Sequence, residues 1–392
     1  MISTNTEAKI TKDNKEQKQS FLKKIFSENI FMIVVCIMLI WGVFYYLTDG
    51  TFLTSRNISN LLRQMSITGT IAIGMIFIII AGEIDLSAGS AMALLGGVAA
   101  ILNVKLGWGV FPTVACTLAL GALLGAWNGF WVSLKIPSFI VTLAGMLAFR
   151  GILVGITGGR TISPVSKEFK LIGQSYIPSY VSYIIIGVFI MFIVIGYIKD
   201  KRNKEKYGID SGKSNEEIIK ILLKSVLMLL GVFLLNQYYG VATPVMILVI
   251  LIFIFSFISQ KTVLGRLTYA IGGNKEAVRL SGINVNKMKF VIYIVHGVLV
   301  AVAGLILTSR LAAASVSAGT NAELDAIASC FIGGASMSGG VGTVFGAILG
   351  ALVMASLDNG MSMLNVEPSW QYAVKGIILL LAVLFDVLSK KK

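Results

Sequence analysis

Histidine occurs once in the 392 residues, at His296, and cysteine three times. A two-histidine metal pattern is therefore impossible, and no Ser–His–Asp set stands around the single imidazole. The sequence offers no catalytic constellation for a membrane-embedded enzyme and no cofactor or metal motif. Cys36, Cys116 and Cys330 all lie in apolar runs without metal-like spacing, so they read as small core residues. Charge is scarce as well. Charged residues make up 13% of the chain, against about 25% in a soluble domain. That shortage leaves no room for a large soluble domain.

Hydrophobic residues fill the space instead, at 56%. Their runs are long enough to cross ~30 Å of hydrocarbon, which predicts an all-α polytopic membrane protein. The net charge of +14 is of the size that binds nucleic acid. However, the Lys and Arg residues sit in short loops between apolar runs. That is the pattern that orients a protein in a membrane, and it needs no nucleic-acid partner.

Residues 1–28 are polar and Lys-rich, and Ile30 to Leu47 form a full apolar span. A secretory signal has a shorter apolar core and a small-residue cleavage site, so this first helix is expected to stay attached. About twelve segments follow from the apolar periodicity, near 29–48, 64–82, 86–104, 111–134, 138–157, 181–198, 218–236, 243–258, 288–309, 325–338, 341–358 and 371–388. The tenth is short and broken by Gly333, Gly334, Gly339 and Gly340, as in a re-entrant segment. With this count the Lys-rich head, the basic loop at 199–213, the loop at 261–289 and the tail at 390–392 fall on one side. Both termini are then expected in the cytoplasm. Residues 29–392 read as a single transmembrane domain. Glycines spaced by four at 121, 125 and 129, and at 346 and 350, mark helices that approach closely in lipid.

One stretch organises the chain. An apolar run from Ile67 to Ala81 meets Gly82, Glu83 and Asp85, and a second run rich in Gly, Ala and Ser begins at Ser87. An ionised Asp at mid-bilayer costs roughly 2.5–3.5 kcal/mol on the lenient insertion scale. Glu83 and Asp85 therefore face protein, a water-filled cavity or the membrane face. Two readings stay open here. One is a tight turn with the carboxylates capping helix N-termini, and the other is a broken helix along a solute path.

A weak internal repeat accompanies the break. Glu83-Ile-Asp-Leu followed by small residues resembles Glu323-Leu-Asp-Ala followed by small residues. Pro137-Ser-Phe resembles Pro368-Ser-Trp. By the span count the two halves run in opposite senses, a layout common in transporters.

The inward loop at 259–287 carries a more specific pattern, Gly272-Gly-Asn-Lys-Glu-Ala-Val-Arg-Leu-Ser-Gly-Ile283. Asn274 is an expected N-cap, Lys275 to Ser281 make two turns, and Gly282 suits a left-handed stop. Ala277, Leu280 and Ile283 are expected on one side, with Lys275, Glu276 and Arg279 polar. Such a helix suits docking to a soluble partner.

With these motifs in hand, the sequence resembles the membrane permease subunits of bacterial sugar importers of the ABC class, the ribose, galactose and xylose group. Gly82-Glu-Ile-Asp-Leu-Ser87, Gly272 to Ile283 and Glu323-Leu-Asp-Ala-Ile-Ala328 carry the resemblance. Within the group it is most similar to the xylose permeases, through Pro137-Ser-Phe-Ile-Val-Thr-Leu-Ala-Gly-Met-Leu-Ala-Phe-Arg-Gly151. Residues 181–242 look like two helices and a basic loop inserted into a ten-helix core.

The resemblance implies a division of labour. Two copies of the permease form the pathway in the bacterial inner membrane. A cytoplasmic ATPase with two nucleotide-binding halves carries ATP and Mg, and an extracytoplasmic binding protein delivers sugar. Asn274, Lys275, Glu276, Ala277, Arg279, Ser281 and Gly282 are then the ATPase-coupling residues. Glu83, Asp85, Ser87, Asn321, Glu323, Asp325, Asp358 and Asn359 are the candidates for the translocation path. No ATP site is expected on this chain. Gly208-Ile-Asp-Ser-Gly-Lys-Ser214 imitates a phosphate loop, but it has three residues between the glycines where four are required.

The remaining polar residues read as follows. Arg150 and Lys375 are expected to snorkel near the outer face. Asp358 and Asn359 pair with Lys375, cap a helix or meet solute. His296 makes a helix–helix hydrogen bond. The leading function is ATP-driven import of a monosaccharide, D-xylose above others. The alternative is an ion-coupled secondary transporter or facilitator with Asp85 and Asp325 as relays.

Overall fold

The computed structural model describes residues 28–206 and 214–389. The head 1–27, the tail 390–392, residues 207–213 of the basic loop and, with them, most of the phosphate-loop look-alike lie outside the described residues.

The described residues form fifteen helices: α1 Glu28–Leu47, α2 Ser55–Ile80, α3 Ala88–Ala100, α4 Val110–Ser133, α5 Ser138–Thr157, α6 Lys167–Gln174, α7 Ser179–Lys206, α8 Ser214–Asn236, α9 Thr243–Lys261, α10 Val263–Gly273, α11 Lys275–Leu280, α12 Val285–Leu311, α13 Ala322–Ile332, α14 Val344–Met363 and α15 Pro368–Ser389. Among them nine are long and apolar enough to cross a membrane, α3 with the help of a π turn over Ile101–Lys105. Phe31–Leu47 and Ile221–Asn236 are shorter apolar helices. The chain is a polytopic helical membrane protein. Two short strands, β1 Tyr176–Ile177 and β2 Val241–Ala242, pair antiparallel and close the base of the α7–α8 hairpin.

Helices α2 and α12 form the centre. The most apolar stretch of α2 is 83% buried within the bundle, whereas none of the corresponding stretch of α15 is. Glycines explain how α12 reaches α4. A side chain at Gly125 would strike the Tyr293 carbonyl, and one at Gly297 would strike the backbone of Gly121 and Gly125. Apolarity alone drives no association in lipid, so backbone approach of this kind supplies the packing.

Two stretches of backbone leave the helices inside the bundle. After α2 the chain turns at Gly82 (φ 77°) and runs without helix to Ser87. Its polar groups are satisfied by side chains. Ile84 N–H donates to Ser138 Oγ at 3.2 Å, and the Ile84 carbonyl accepts from Thr142 Oγ1 at 3.3 Å and Tyr293 OH at 3.4 Å. After α12 a second non-helical stretch runs to Asn321. Arg150 of α5 donates to the carbonyls of Val316 (2.5 Å) and Ala318 (2.9 Å), and Ala314 pairs with Ile162. These bonds satisfy backbone groups that the helices no longer pair, in a first stretch that is buried or half-buried after Gly82 and a second that is mostly half-buried. Arg150 is thus a clasp for the second break rather than a snorkelling residue.

Each break ends in a helix N-terminus, and the two N-termini meet. A side chain at Gly89, in the first turn of α3, would collide with the Gly319 carbonyl and the Glu323 carboxylate of α13. Helix α13 has 11 residues, so it is ~16 Å long and cannot cross the hydrocarbon alone. The tenth segment, expected over 325–338, is therefore a half-helix. It starts earlier, and it stops at Ile332 where Gly334 takes φ 86° and Ala335 N–H closes back on the Cys330 carbonyl, with Gly333 packed on the backbone of Gly346. Helix starts at 55, 88, 110 and 138 recur at 285, 322, 344 and 368.

Candidate functional site

Most of the sequence-selected residues gather in two clusters and one loop. The first cluster surrounds the α2–α3 break. Glu83 forms a buried ion pair with Lys289, the fifth residue of α12. Asp85 does not cap α3 directly. Its Oδ1 accepts from the Ser87 N–H at 2.7 Å and from the Ser87 hydroxyl at 2.6 Å. Asn128 of α4 in turn donates to Ser87 Oγ at 2.8 Å. The other carboxylate oxygen, Oδ2, lies 3.7 Å from His296 Nε2. That distance exceeds a hydrogen bond, so the helix–helix bond expected of His296 is not made.

The second cluster joins α13, α14 and α15. Lys375 Nζ lies 2.9 Å from Asp325 Oδ2, to which it donates, and 2.8 Å from Asp358 Oδ1. The contact to Asp358 is an ion contact without hydrogen-bond alignment. Lys375 is therefore an internal cation, not a snorkelling one. Two carboxylates about one ammonium, with side chains from 13% to 31% exposed, are tolerated in a bundle because the Lys375 ammonium offsets their charge and their mutual repulsion. A cleft of about 70 Å³ opens beside them, lined among others by Asn321, Asp325, Tyr372 and Lys375. Asn359 stands apart, accepting from Asn57 of α2 at 2.8 Å. Glu323 lies between the clusters, against the first turn of α3.

The loop is built as its capping residues require. Asn274 Oδ1 accepts from the Ala277 N–H at 2.9 Å, α11 follows, and Gly282 takes φ 84°. Its apolar side differs from the expected one. Val278 is buried against Ile271 and Val285, whereas Leu280 is 75% exposed. A six-residue helix is too short to bury a full stripe, so one residue anchors it and Leu280 projects. Glu276 and Arg279 pair on the surface. The bond from Arg279 holds the Glu276 carboxyl below its ordinary value. The Lys289 ammonium and partial burial hold Lys275 below the usual lysine value. The loop is also tied to the bundle. Gly340 N–H donates to the Ile80 carbonyl at 2.9 Å, a side chain at Gly272 would strike both, and Tyr269 OH donates to the Gly342 carbonyl at 2.7 Å.

Sequence reasoning missed Lys289, Asn128, Ser138 and Thr142 as partners. Asn128 carried a signal, a lone amide in an apolar run beside Gly125 and Gly129. Ser138 and Thr142 carried none, since small hydroxyls are common in membrane helices. No group of metal-ligating side chains occurs among the described residues.

This polytopic helical bundle, with its helix breaks and buried polar clusters, belongs to the family described as branched-chain amino acid transport system / permease component, whose model matches residues 57–383. It is a transport subunit rather than an enzyme. The chain is 53% identical over 364 residues to the xylose transport system permease protein XylH of Escherichia coli (strain K12), covering 93% of each chain. It is 52% identical over 373 residues to the protein of the same name from Haemophilus influenzae, covering 95% of this chain and 100% of that one. The ribose import permease protein RbsC of Escherichia coli (strain K12) is 36% identical over 337 residues, 86% of this chain and 87% of the relative. No solved structure matches the chain.

Proposed function

We propose that this chain is the membrane subunit of an ATP-driven importer for D-xylose, placed in the bacterial inner membrane with both termini in the cytoplasm. The observation that carries the sugar is the contrast in identity, 53% to a xylose permease against 36% to a ribose permease, each over most of the chain. Two copies enclose the pathway. Helix α15, whose apolar surface finds little cover within one chain, suits that contact or lipid. A separate ATPase holds ATP and Mg, and a sugar-binding protein docks on the opposite face.

The geometry supports a mechanical division. Asn274 to Gly282 form the coupling element, with Leu280 and the Glu276–Arg279 pair projecting toward the ATPase. Gly272 links that element to the end of α2 and to the loop before α14, so a push on α11 reaches the first helix break and the loop that follows α13. The path residues are Glu83, Asp85, Ser87, Asn321, Glu323, Asp325, Asp358 and Asn359. Their carboxylates and amides can exchange hydrogen bonds with sugar hydroxyls as the halves move. The recurring helix starts support an inverted repeat. ATP binding shifts outward- and inward-open states only as far as it binds them unequally.

Vesicle uptake tests the reading. Xylose accumulation that requires ATP, the ATPase and the binding protein supports it. Accumulation by this chain alone, driven by an ion gradient, would replace it with a secondary transporter.

A further inference from the structure

The α2–α3 break contains three buried polar atoms that no protein group satisfies. Asn128 Oδ1, His296 Nε2 and His296 Nδ1 have no hydrogen-bond partner. Asp85, Asn128 and His296 are 3%, 2% and 2% exposed. A buried polar group left unpaired forfeits the hydrogen bonds it made with water, so native proteins rarely leave several together. The three residues line one small cavity, walled otherwise by apolar and small groups of α3, α4, α5 and α12 such as Ala91, Phe149 and Gly297. It offers about 10 Å³ to the centre of a water-sized sphere, which is room for one water.

We propose that this cavity is a binding site for a single water that joins Asp85, Asn128 and His296. Such a water satisfies two of the three atoms, Asn128 Oδ1 and His296 Nε2, and leaves His296 Nδ1 unpaired. Asp85 Oδ1 is already used by the N–H and O–H of Ser87, so Oδ2 is the free acceptor. Asn128 spends its Nδ2 on Ser87 Oγ, which leaves Oδ1 as a second acceptor. The water donates one proton to each oxygen and accepts one from His296 Nε2. Three bonds are the usual number for an internal water. The arrangement fixes the imidazole as the neutral tautomer with its proton on Nε2. Nδ1 lies against Gly74 of α2, where a side chain would collide with it, and a proton there would meet no acceptor. The water thereby ties the break before α3 to α4 and to α12, and makes Asn128 and His296 positioning residues for the N-terminus of α3.

The single histidine makes the test direct. The full chain in lipid bilayers, labelled with ¹⁵N-histidine, is read by solid-state NMR. The expected result is one protonated Nε2, one bare Nδ1, and transfer of magnetisation from water to the Nε2 proton. In Asn128→Leu that transfer is lost while the ring stays neutral. A proton on Nδ1, a doubly protonated ring, or an Nε2 proton that receives nothing from water and so pairs with Asp85 directly, would each overturn the proposal. Unchanged transfer in Asn128→Leu would overturn the three-partner account. Should that variant fail to assemble, the wild-type spectrum alone still decides whether a water is bound.

Discussion

Lys375 Nζ stands 2.9 Å from Asp325 Oδ2, across fifty positions of sequence. The pair fastens the outermost long helix to the half-helix α13, and Asp358 shares the same ammonium. A buried pair of this kind is weak evidence of net stabilisation, but removing one member leaves its partner stranded.

We therefore expect Lys375→Met to lower stability by about 3–5 kcal/mol. Adding Asp325→Asn should recover part of that loss, because only one carboxylate then remains. Thermal unfolding in detergent measures both, and additive losses in the double variant would show that the residues do not interact.

Glu83 and Lys289 are paired in the same sense at the other break. Glu83→Gln leaves Lys289 beside Lys275 with no counter-charge, so uptake should fall and the start of α12 should loosen. The exchange Glu83→Lys with Lys289→Glu should retain more activity than either single change. Hydrogen exchange at residues 285–290, together with uptake, checks the order.

Adjacent glycines give a matched comparison in the loop. A side chain at Gly272 meets the backbone of Ile80 and Gly340, whereas one at Gly273 meets nothing within 4 Å. Gly272→Ala should impair assembly or uptake, with a cost of about 1–3 kcal/mol for overpacking. Gly273→Ala should be close to wild type. Equal behaviour of the two would remove the backbone junction from the coupling route.

Force transmission through α11 predicts that Arg279→Glu with Gly282→Pro abolishes sugar uptake while membrane insertion stays normal. Gly282 has φ 84°, which proline cannot adopt. Full uptake by this variant would dismiss α11 as the coupling element.

The Glu276–Arg279 pair also has a pH signature. Arg279 holds the folded Glu276 carboxyl below its ordinary 4.5. A depressed folded value lends stability that is present above the ordinary value and fades as pH falls through the lower one. The group is fully exposed, so the effect on overall stability is small. Arg279→Ala should raise the Glu276 midpoint toward the ordinary value in a carboxyl NMR titration, and an unmoved midpoint would show that the pair does not form in solution.

Much of this was legible in the chain. The apolar runs at 138–157 and 111–134 coincide with α5 and α4 to within a residue, because lipid imposes a length and an apolar composition that a sequence displays openly. Asn274 and Gly282 announced α11 through local capping chemistry that needs no tertiary context. The breaks were legible as places where charge interrupts oil. Their partners were not. Arg150 and Lys375 lie near helix ends in the sequence, where snorkelling is the ordinary outcome, and only the neighbouring carbonyls and carboxylates turn them inward. His296 was expected to bond across helices and instead stops 3.7 Å from Asp85.

By itself, then, the sequence determined that this is a many-spanning helical membrane protein, where its helices break, and where a capped loop protrudes. Those are local properties of hydrophobic length, backbone freedom and capping. The tertiary structure alone decided which charge meets which, Glu83 with Lys289 and Asp325 with Lys375. The reason is physical: an ion in a bundle finds its partner through the packing of helices far apart in sequence, and no local pattern records that distance.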